Sequence, residues 1–165
     1  MLIFIGSDHA GFELKEKLID YIDDLGHEVI DKGAYELNQQ DDYPDFIKEV
    51  AVAVSDDPHE YKGIILGGSG QGEAMAANRV PGIRAAVYYG PRTATESVDI
   101  SGRKSEDELE IIRLSREHND ANILSLASRF LTVEEAQNAV KLFLATKFSG
   151  EERHIRRIKK LDNTK

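Results

Sequence analysis

Short apolar runs alternate with amphipathic repeats along this chain. Residues 2–5 are apolar and Gly6 follows them, a pattern typical of a strand buried on both faces of a parallel sheet. Apolar residues then recur at helical spacing up to Gly26, where helices commonly end, so the spacing predicts a helix over residues 11–25. The same alternation predicts further strands near 28–31, 63–66, 83–87 and 123–126, and helices near 44–55, after the turn at 67–72 and from Thr132.

Strands that alternate with helices of this length predict βαβ units. The expected fold class is therefore α/β, a three-layer α/β/α Rossmann-like arrangement with a five-stranded parallel sheet. The length of 165 residues fits a single domain, residues 1–165. Ligands of such sheets bind beyond the carboxyl ends of the strands. This rule selects three places to search for a site: the end of the first strand, the loop at 67–73 and the segment before the fifth strand.

Two polar segments fall outside this alternation. Residues 99–110 are rich in charge and predict a surface loop that runs into an acidic helix start. Residues 150–165 carry most of the basic side chains of the C-terminal region and predict a basic helix. At the start of the preceding helix, Thr132 and Glu135 form a capping-box pair.

Charge and cysteine content exclude several classes of function. The chain has 21 Lys and Arg against 30 Asp and Glu, a net charge of -9, which argues against nucleic acid or an anionic membrane as the main partner. The absence of cysteine excludes disulfides, thiolate metal sites and a thiol nucleophile, so any catalysis uses oxygen or nitrogen groups. The start of the chain has the pattern of neither a signal peptide nor a membrane span, which predicts a cytoplasmic protein.

The glycine-rich loop 67–73 predicts an anion site. Its glycines let a ligand approach the backbone closely, and N–H groups at the following helix start suit a phosphate or the enediolate oxygen of a transition state. Glu73 stands where a dinucleotide fingerprint has its third glycine, and no Lys-Ser/Thr pair forms a P-loop. Glu73 is either a general base or a helix acid that complements the macrodipole, and spacing alone favours the helix acid. Ser69 has the position of an ordinary turn residue.

Asp8 and His9 follow the first strand directly. Such a pair can polarise a hydroxyl or hold a phosphate, but Asp8 is equally suited to cap the first helix, and the sequence leaves both interpretations open. His118 precedes the fifth strand, and we expect it near the same edge of the sheet as the glycine loop; the alternative is a surface histidine.

Arg153 and Arg157 are four residues apart in the predicted basic helix. Two guanidinium groups at this spacing can clamp one phosphate through charge-assisted hydrogen bonds, and Arg129 can join them. The alternative is a solvated basic face, which such a pair more often forms.

Seven segments follow one another along the chain in a recognisable order. They are Gly6-Ser7-Asp8-His9-Ala10-Gly11, Asp42-Tyr43-Pro44, Gly67-Gly68-Ser69-Gly70-x-Gly72-Glu73, Ala76-Ala77-Asn78-Arg79, Gly82-Ile83-Arg84-Ala85, Ser115-Arg116-Glu117-His118-Asn119-Asp120 and Arg153-His154-x-x-Arg157. In this order they resemble the ribose-5-phosphate isomerase B family, which includes galactose-6-phosphate isomerase subunits and allose-6-phosphate isomerases. The resemblance covers residues 1 to about 161.

The resemblance implies an aldose–ketose isomerase, without a cofactor or a metal, that interconverts ribose 5-phosphate and ribulose 5-phosphate through a cis-enediol. It implies that the phosphate is held by His9, Arg129, Arg153 and Arg157. It implies that Asp8 and His118 act in ring opening and on the sugar hydroxyls. It also implies that Tyr43 and Asn119 line the site. N–H groups for the enediolate come from the loop of Gly68, Gly70 and Gly72, with Ser69 alongside.

The resemblance also bears on the base. Many relatives have a catalytic cysteine at the position of Gly67, whereas another branch has glycine there and a glutamate at the position of Glu73. This chain matches the glutamate branch, so the resemblance reverses the preference from spacing and implies Glu73 as the base that moves the proton between C1 and C2.

In relatives the site lies between two subunits. A homodimer or a tetramer is therefore implied, with His118 and Asn119 facing the partner's loop. The chain departs from the family near 99–112, because most relatives run almost directly from a helix at 90–94 into the segment that begins at Ser115. This insertion lies upstream of His118, and we expect it to form a surface flap, change the dimer edge or reshape the sugar end of the site.

Three other functions remain open. One keeps the chemistry but acts on a six-carbon sugar phosphate. Another is a non-catalytic module that binds phosphosugars, although binding phosphate alone needs none of Ser69, Glu73 and His118. The third is a flavodoxin-like or Rossmann-type nucleotide-binding protein, which the missing third glycine of the loop disfavours.

Overall fold

The computed structural model describes residues 1–162, which form five strands and six helices. The strands are β1 (Leu2–Ser7), β2 (Glu28–Asp31), β3 (Lys62–Gly67), β4 (Ala85–Tyr88) and β5 (Ile123–Ala127). The helices are α1 (Phe12–Asp24), α2 (Tyr43–Ser55), α3 (Gln71–Ala77), α4 (Glu110–Asn119), α5 (Val133–Ala145) and α6 (Glu152–Asp162).

All five strands are parallel, in the order β2-β1-β3-β5-β4. The sheet is in register across its centre, where Ile64 pairs with Ile5 on one side and with Leu124 on the other. Strands β3 and β5 are buried throughout because both faces of the sheet are covered, and this explains their continuous apolar runs. The prediction of an α/β fold with a five-stranded parallel sheet is confirmed.

Two apolar cores lie on the two faces of the sheet. On one face α1, α4 and α5 pack on side chains such as Ile5 and Leu124, and on the other α2 and α3 pack on Phe4 and Ile65. Leu18 of α1 and Val50 of α2 are fully buried, as their helical spacing predicts. The result is the predicted three-layer arrangement.

The start of α5 and the end of α1 have the local structure that the sequence predicts. The side chain of Thr132 accepts a hydrogen bond from the backbone N–H of Glu135 at 3.2 Å, and the Glu135 carboxylate accepts one from the backbone N–H of Thr132 at 2.7 Å, so the predicted capping box is present. Helix α1 ends at Asp24, and Gly26 follows with φ of +82°.

The segment between β4 and α4 forms an irregular but braced loop. Glu110, which is buried, accepts hydrogen bonds from Arg103 Nη2 at 2.7 Å and from Ser105 Oγ at 2.9 Å, and Arg103 also pairs with Asp99. The predicted surface loop and acidic helix start are therefore present, with the helix beginning at Glu110. The helix that relatives are expected to have at 90–94 is absent here, since these residues lie in the irregular segment.

The basic C-terminal helix is α6, in which only His154 is buried. The last three residues of the predicted basic segment, 163–165, lie outside the described residues. Among residues 1–162, none of the helices is both long enough and apolar enough to cross a membrane.

Candidate active site

A cleft of about 520 Å³ opens at the carboxyl edge of the sheet, where ligands of parallel sheets bind. Four separate segments line it: the end of β1, the start of α2, the loop from β3 into α3, and the turn after β5. Its lining residues are Asp8, His9, Ala10, Tyr43, Gly68, Ser69, Gly72, Glu73, Arg129 and Phe130. Most of the residues predicted for the site therefore come together here.

The glycine loop is anchored on β5. Ser125 Oγ donates a 2.6 Å hydrogen bond to the carbonyl of Gly70, which has φ of +71°, and the backbone N–H of Arg129 donates to the carbonyl of Gly68 at 3.2 Å. A Cβ on Gly72 would lie 2.8 Å from Tyr43 Cζ, so the Tyr43 ring packs directly on the loop. The loop is thus held in a fixed position, and its glycines leave room for the side chains that face it.

Glu73 is buried beneath this loop, with 4% of its surface exposed. Its Oε2 atom has no hydrogen-bond partner, and its carboxylate occupies the space that a Cβ on Gly67 would need. Burial raises the pKa of Glu73; a backbone hydrogen bond opposes this, and the charge of Asp8 adds to the increase. A helix acid that only complements the macrodipole would be solvated, so these features favour the general base.

Asp8 is a local cap as well as a cleft residue. Its Oδ1 accepts hydrogen bonds from the backbone N–H groups of Ala10 at 2.9 Å and Gly11 at 3.2 Å, although Gly11 is itself the N-cap residue of α1. Both sequence interpretations of Asp8 therefore have support.

Asp41 is a cleft-side residue that the sequence analysis missed. Its Oδ1 lies 2.6 Å from His9 Nδ1 and also accepts the backbone N–H of His9 at 3.2 Å. In the sequence it stands 32 residues from His9, in an irregular loop, and only its place next to the Asp42-Tyr43-Pro44 segment could have drawn attention to it.

Asp8, His9 and Asp41 also form the one group in residues 1–162 with the spacing of a metal site, since one ligand atom of each lies within 4.8 Å of the others. Their hydrogen bonds already use Asp8 Oδ1, Asp41 Oδ1 and His9 Nδ1. That the protein needs no metal stays a prediction.

The residues at the end of α4 lie at the opposite edge of the sheet. Arg84, which precedes β4, donates from Nε to the carbonyls of Asn119 at 3.1 Å and Asp120 at 3.0 Å. The expectation that His118 lies near the glycine loop in the same chain is wrong, because a residue that precedes a parallel strand lies at the amino edge, whereas the loop follows a strand.

Helix α6 lies at this amino edge as well. The rings of His118 and His154 stack, with centroids 4.3 Å apart and planes 14° apart. Burial lowers the pKa of His154, and the positive charges of His118, Arg153 and Arg157 lower it further, against the opposing charge of Glu151.

Arg153 and Arg157 therefore do not share a pocket with His9 and Arg129 within one chain. Arg153 Nε lies 2.8 Å from a carboxylate oxygen of Glu151, whereas Arg157 lines a separate cleft of about 780 Å³ together with Asn119. The predicted phosphate clamp is divided between two edges of the sheet.

The loop part of the insertion, residues 99–109, precedes α4, whereas His118 lies near the end of that helix. His118 follows Glu110 by eight positions, which is about 12 Å along a helix. The braced loop therefore lies at the other end of α4 from His118.

Comparison with known proteins shows the family of the chain. The family model described as Ribose/Galactose Isomerase matches residues 3–102 and 107–161. The match omits residues 103–106, which lie inside the predicted insertion. The chain is 41% identical over 158 residues to ribose-5-phosphate isomerase B of Mycolicibacterium paratuberculosis, covering 96% of this chain and 87% of that protein. It is 35% identical over 156 residues to the Escherichia coli protein of the same name, covering 94% and 91%.

Two solved structures are also similar to this chain over nearly its whole length. Ribose-5-phosphate isomerase B of Clostridium thermocellum superposes with a TM-score of 0.82 at 40% identity, covering 98% of this chain and 95% of that one. The Mycoplasma genitalium enzyme, solved with bound ribulose-5-phosphate, superposes with a TM-score of 0.84 at 35% identity, covering 98% and 93%.

Proposed function

The chain belongs to the ribose/galactose isomerase family, and we propose that it interconverts ribose 5-phosphate and ribulose 5-phosphate. The observation that carries this proposal is the buried Glu73 carboxylate, which has an unpartnered oxygen and lies against a glycine loop in the cleft. A non-catalytic phosphosugar-binding module has no use for such a group, because burying an unpaired carboxylate costs stability.

In this mechanism Glu73 takes the proton from C2 of the open-chain aldose. The electrons move to the C1 carbonyl oxygen, and backbone N–H groups of the loop with Gly68 and Gly70 stabilise the enediolate. The O2 hydroxyl proton passes to O1, and Glu73 returns its proton to C1 while the carbonyl forms at C2, which gives the ketose. The raised pKa of Glu73 makes its carboxylate a stronger proton acceptor than a solvated glutamate.

The proposed functional enzyme is a homodimer, either alone or as half of a tetramer. The support is the separation of the predicted site residues: Glu73, His9 and Arg129 lie at one edge of the sheet, and Arg157 and Asn119 at the other. A two-fold axis brings the amino edge of one chain to the carboxyl edge of the next, so that each site is built from both. His118 of the partner subunit then assists Asp8 in ring opening, and the partner's Arg153 and Arg157 complete the phosphate clamp.

The variant Glu73→Gln tests the base. We expect it to keep the affinity for inorganic phosphate but to lose turnover by a factor of at least about 100. The matched control is Glu134→Gln, because Glu134 is an exposed acid in the first turn of α5 and should leave turnover unchanged. Near-normal turnover in Glu73→Gln would refute the assignment.

Subunit exchange tests the shared site. Mixing Glu73→Gln with Arg157→Ala under conditions that allow exchange gives mixed dimers in which one site carries both substitutions and the other carries neither. Activity is measured at substrate concentrations far below the KM of Arg157→Ala, where neither parent turns over appreciably. Random pairing should then restore about 25% of the wild-type sites, since half of the dimers are mixed and half of their sites are intact. No recovery in mixtures shown to contain hybrid dimers would contradict the shared site.

A six-carbon substrate is the second candidate, since the matching family model names galactose beside ribose. Rates on ribose 5-phosphate, allose 6-phosphate and galactose 6-phosphate, measured side by side, separate the two. A higher kcat/KM on either hexose phosphate would replace the pentose assignment. The cytoplasmic location and the single-domain organisation stay predictions.

A further inference from the structure

Asp41 clamps His9 at two points. One carboxylate oxygen, Oδ1, lies 2.6 Å from the ring Nδ1 and accepts the backbone N–H of the same residue at 3.2 Å. One acceptor thus fixes both the main chain and the ring of His9, which limits rotation of the imidazole. Because Nδ1 is engaged, Nε2 is the ring nitrogen left for a ligand in the cleft.

The carboxylate of Asp41 is buried, unlike that of an ordinary surface residue. Its side chain is 6% exposed, and its second oxygen, Oδ2, is buried without a hydrogen-bond partner. The loop that carries it starts from a fixed point, since Ser7 exchanges backbone hydrogen bonds with Gly33 at 2.7 Å and Ala34 at 2.8 Å. A buried carboxylate with a free oxygen costs folding free energy, which a role in binding would account for.

We propose that Asp41 is the positioning residue that holds His9 ready to bind the phosphate of the substrate. The proposal rests on the proposed function of the cleft. In the bound state the imidazolium donates from Nδ1 to Asp41 and from Nε2 to a phosphate oxygen, next to the Arg129 guanidinium. Asp41 itself touches no substrate. Its effect is therefore on binding, whereas the proton transfer at Glu73 proceeds as before.

The variant Asp41→Asn tests this role because it removes the charge and keeps the volume. We expect KM for ribose 5-phosphate and the inhibition constant of inorganic phosphate to rise about 10-fold, the lower range for a hydrogen bond to a charged group, with kcat within threefold of wild type. The control Asp42→Asn removes the same charge one residue further on, from an exposed side chain without a capping hydrogen bond, and should change neither constant.

A double-mutant cycle with His9→Gln separates positioning from a general structural effect. If Asp41 acts through His9, adding Asp41→Asn to His9→Gln leaves KM unchanged, so the two effects are not additive. Additive effects, or an unchanged KM in Asp41→Asn alone, would overturn the proposal. If a substitution lowers the midpoint of thermal unfolding, the phosphate affinity of the folded variants can still be measured by calorimetry at low temperature.

Three further outcomes are decisive. If wild-type activity is lost in EDTA and recovers with an added divalent cation, Asp8, His9 and Asp41 form a metal site and the positioning role is refuted. If wild-type protein isomerises no sugar phosphate, the proposed function fails. If the wild type is active and only the Asp41 effects are missing, this inference alone fails.

Discussion

Replacing Gly67 by alanine should displace Glu73, the proposed base, without removing it. A Cβ at this position would overlap the carboxylate carbon and Oε1 of Glu73 and lie 2.8 Å from its Cγ, whereas ordinary contact begins near 3.4 Å. The backbone of Gly67 is not in the left-handed region, so alanine is tolerated there, and the carboxylate can move into the cleft. The substitution therefore acts on the site more than on the fold.

The size of the effect follows from the displacement. The Cγ atom must move by about 0.6 Å and the overlapping carboxylate by more, at least about 1 Å, and a misplacement of 1 Å can cost a factor of about 100 in rate. We expect kcat to fall by about this factor, which corresponds to about 2.7 kcal/mol in the activation free energy. The affinity for inorganic phosphate should stay close to the wild-type value.

Gly63→Ala is the matched control on the same strand. Its Cβ would lie 2.8 Å from Cγ1 of Ile123 and 3.1 Å from Cγ1 of Val50, in the core and away from the cleft. Overpacking should lower the free energy of unfolding by about 1–3 kcal/mol and leave kcat unchanged. Steady-state kinetics and urea unfolding of both variants check the pair. A kcat within threefold of wild type in Gly67→Ala would refute the placement of the base.

Four further outcomes are expected. Burial raises the pKa of Glu73, so kcat/KM should fall as the pH drops through this raised pKa. The free energy of unfolding should fall in the other direction, as the pH rises from the ordinary carboxyl pKa to the raised pKa. Urea unfolding of Glu73→Gln should lack this pH dependence. Arg153→Ala and Arg157→Ala should raise KM more than they lower kcat, and unchanged KM in both would contradict the clamp. Because the chain has no cysteine, iodoacetamide should leave activity unchanged, whereas inactivation would show that another nucleophile of the cleft, such as His9, is alkylated. Arg103→Ala removes the 2.7 Å partner of the buried Glu110 and should lower the midpoint of thermal unfolding without changing kcat; a lowered kcat would connect the inserted loop to catalysis.

Local signals in the sequence predicted the fold because its elements depend on local physics. The apolar run at 2–5 requires only burial within a sheet. Leu14 and Leu18, four positions apart, require only burial of one helix face. The capping box of Thr132 is equally local. These features need no knowledge of what lies across the molecule.

The site depends on contacts between distant segments, and there the sequence was insufficient. Asp41 reaches His9 across 32 residues from a loop without periodicity. His118 differs, because its place before a parallel strand is enough to put it at the amino edge; the distant contact is its stacking on His154, 36 positions further along the chain. The burial of Glu73 likewise arises from packing against Gly67, which spacing does not reveal.

The shared space of Gly67 and Glu73 also constrains how such a protein can change over generations. Under the proposed function, a chain that gains a side chain at 67 first displaces its own base, and a chain that loses the glutamate first has neither a thiol nor a carboxylate at this point. Each single step is then expected to lower activity. The two positions are therefore expected to be epistatic, so that a lineage exchanges one base for the other by a paired substitution or while another enzyme supplies the reaction.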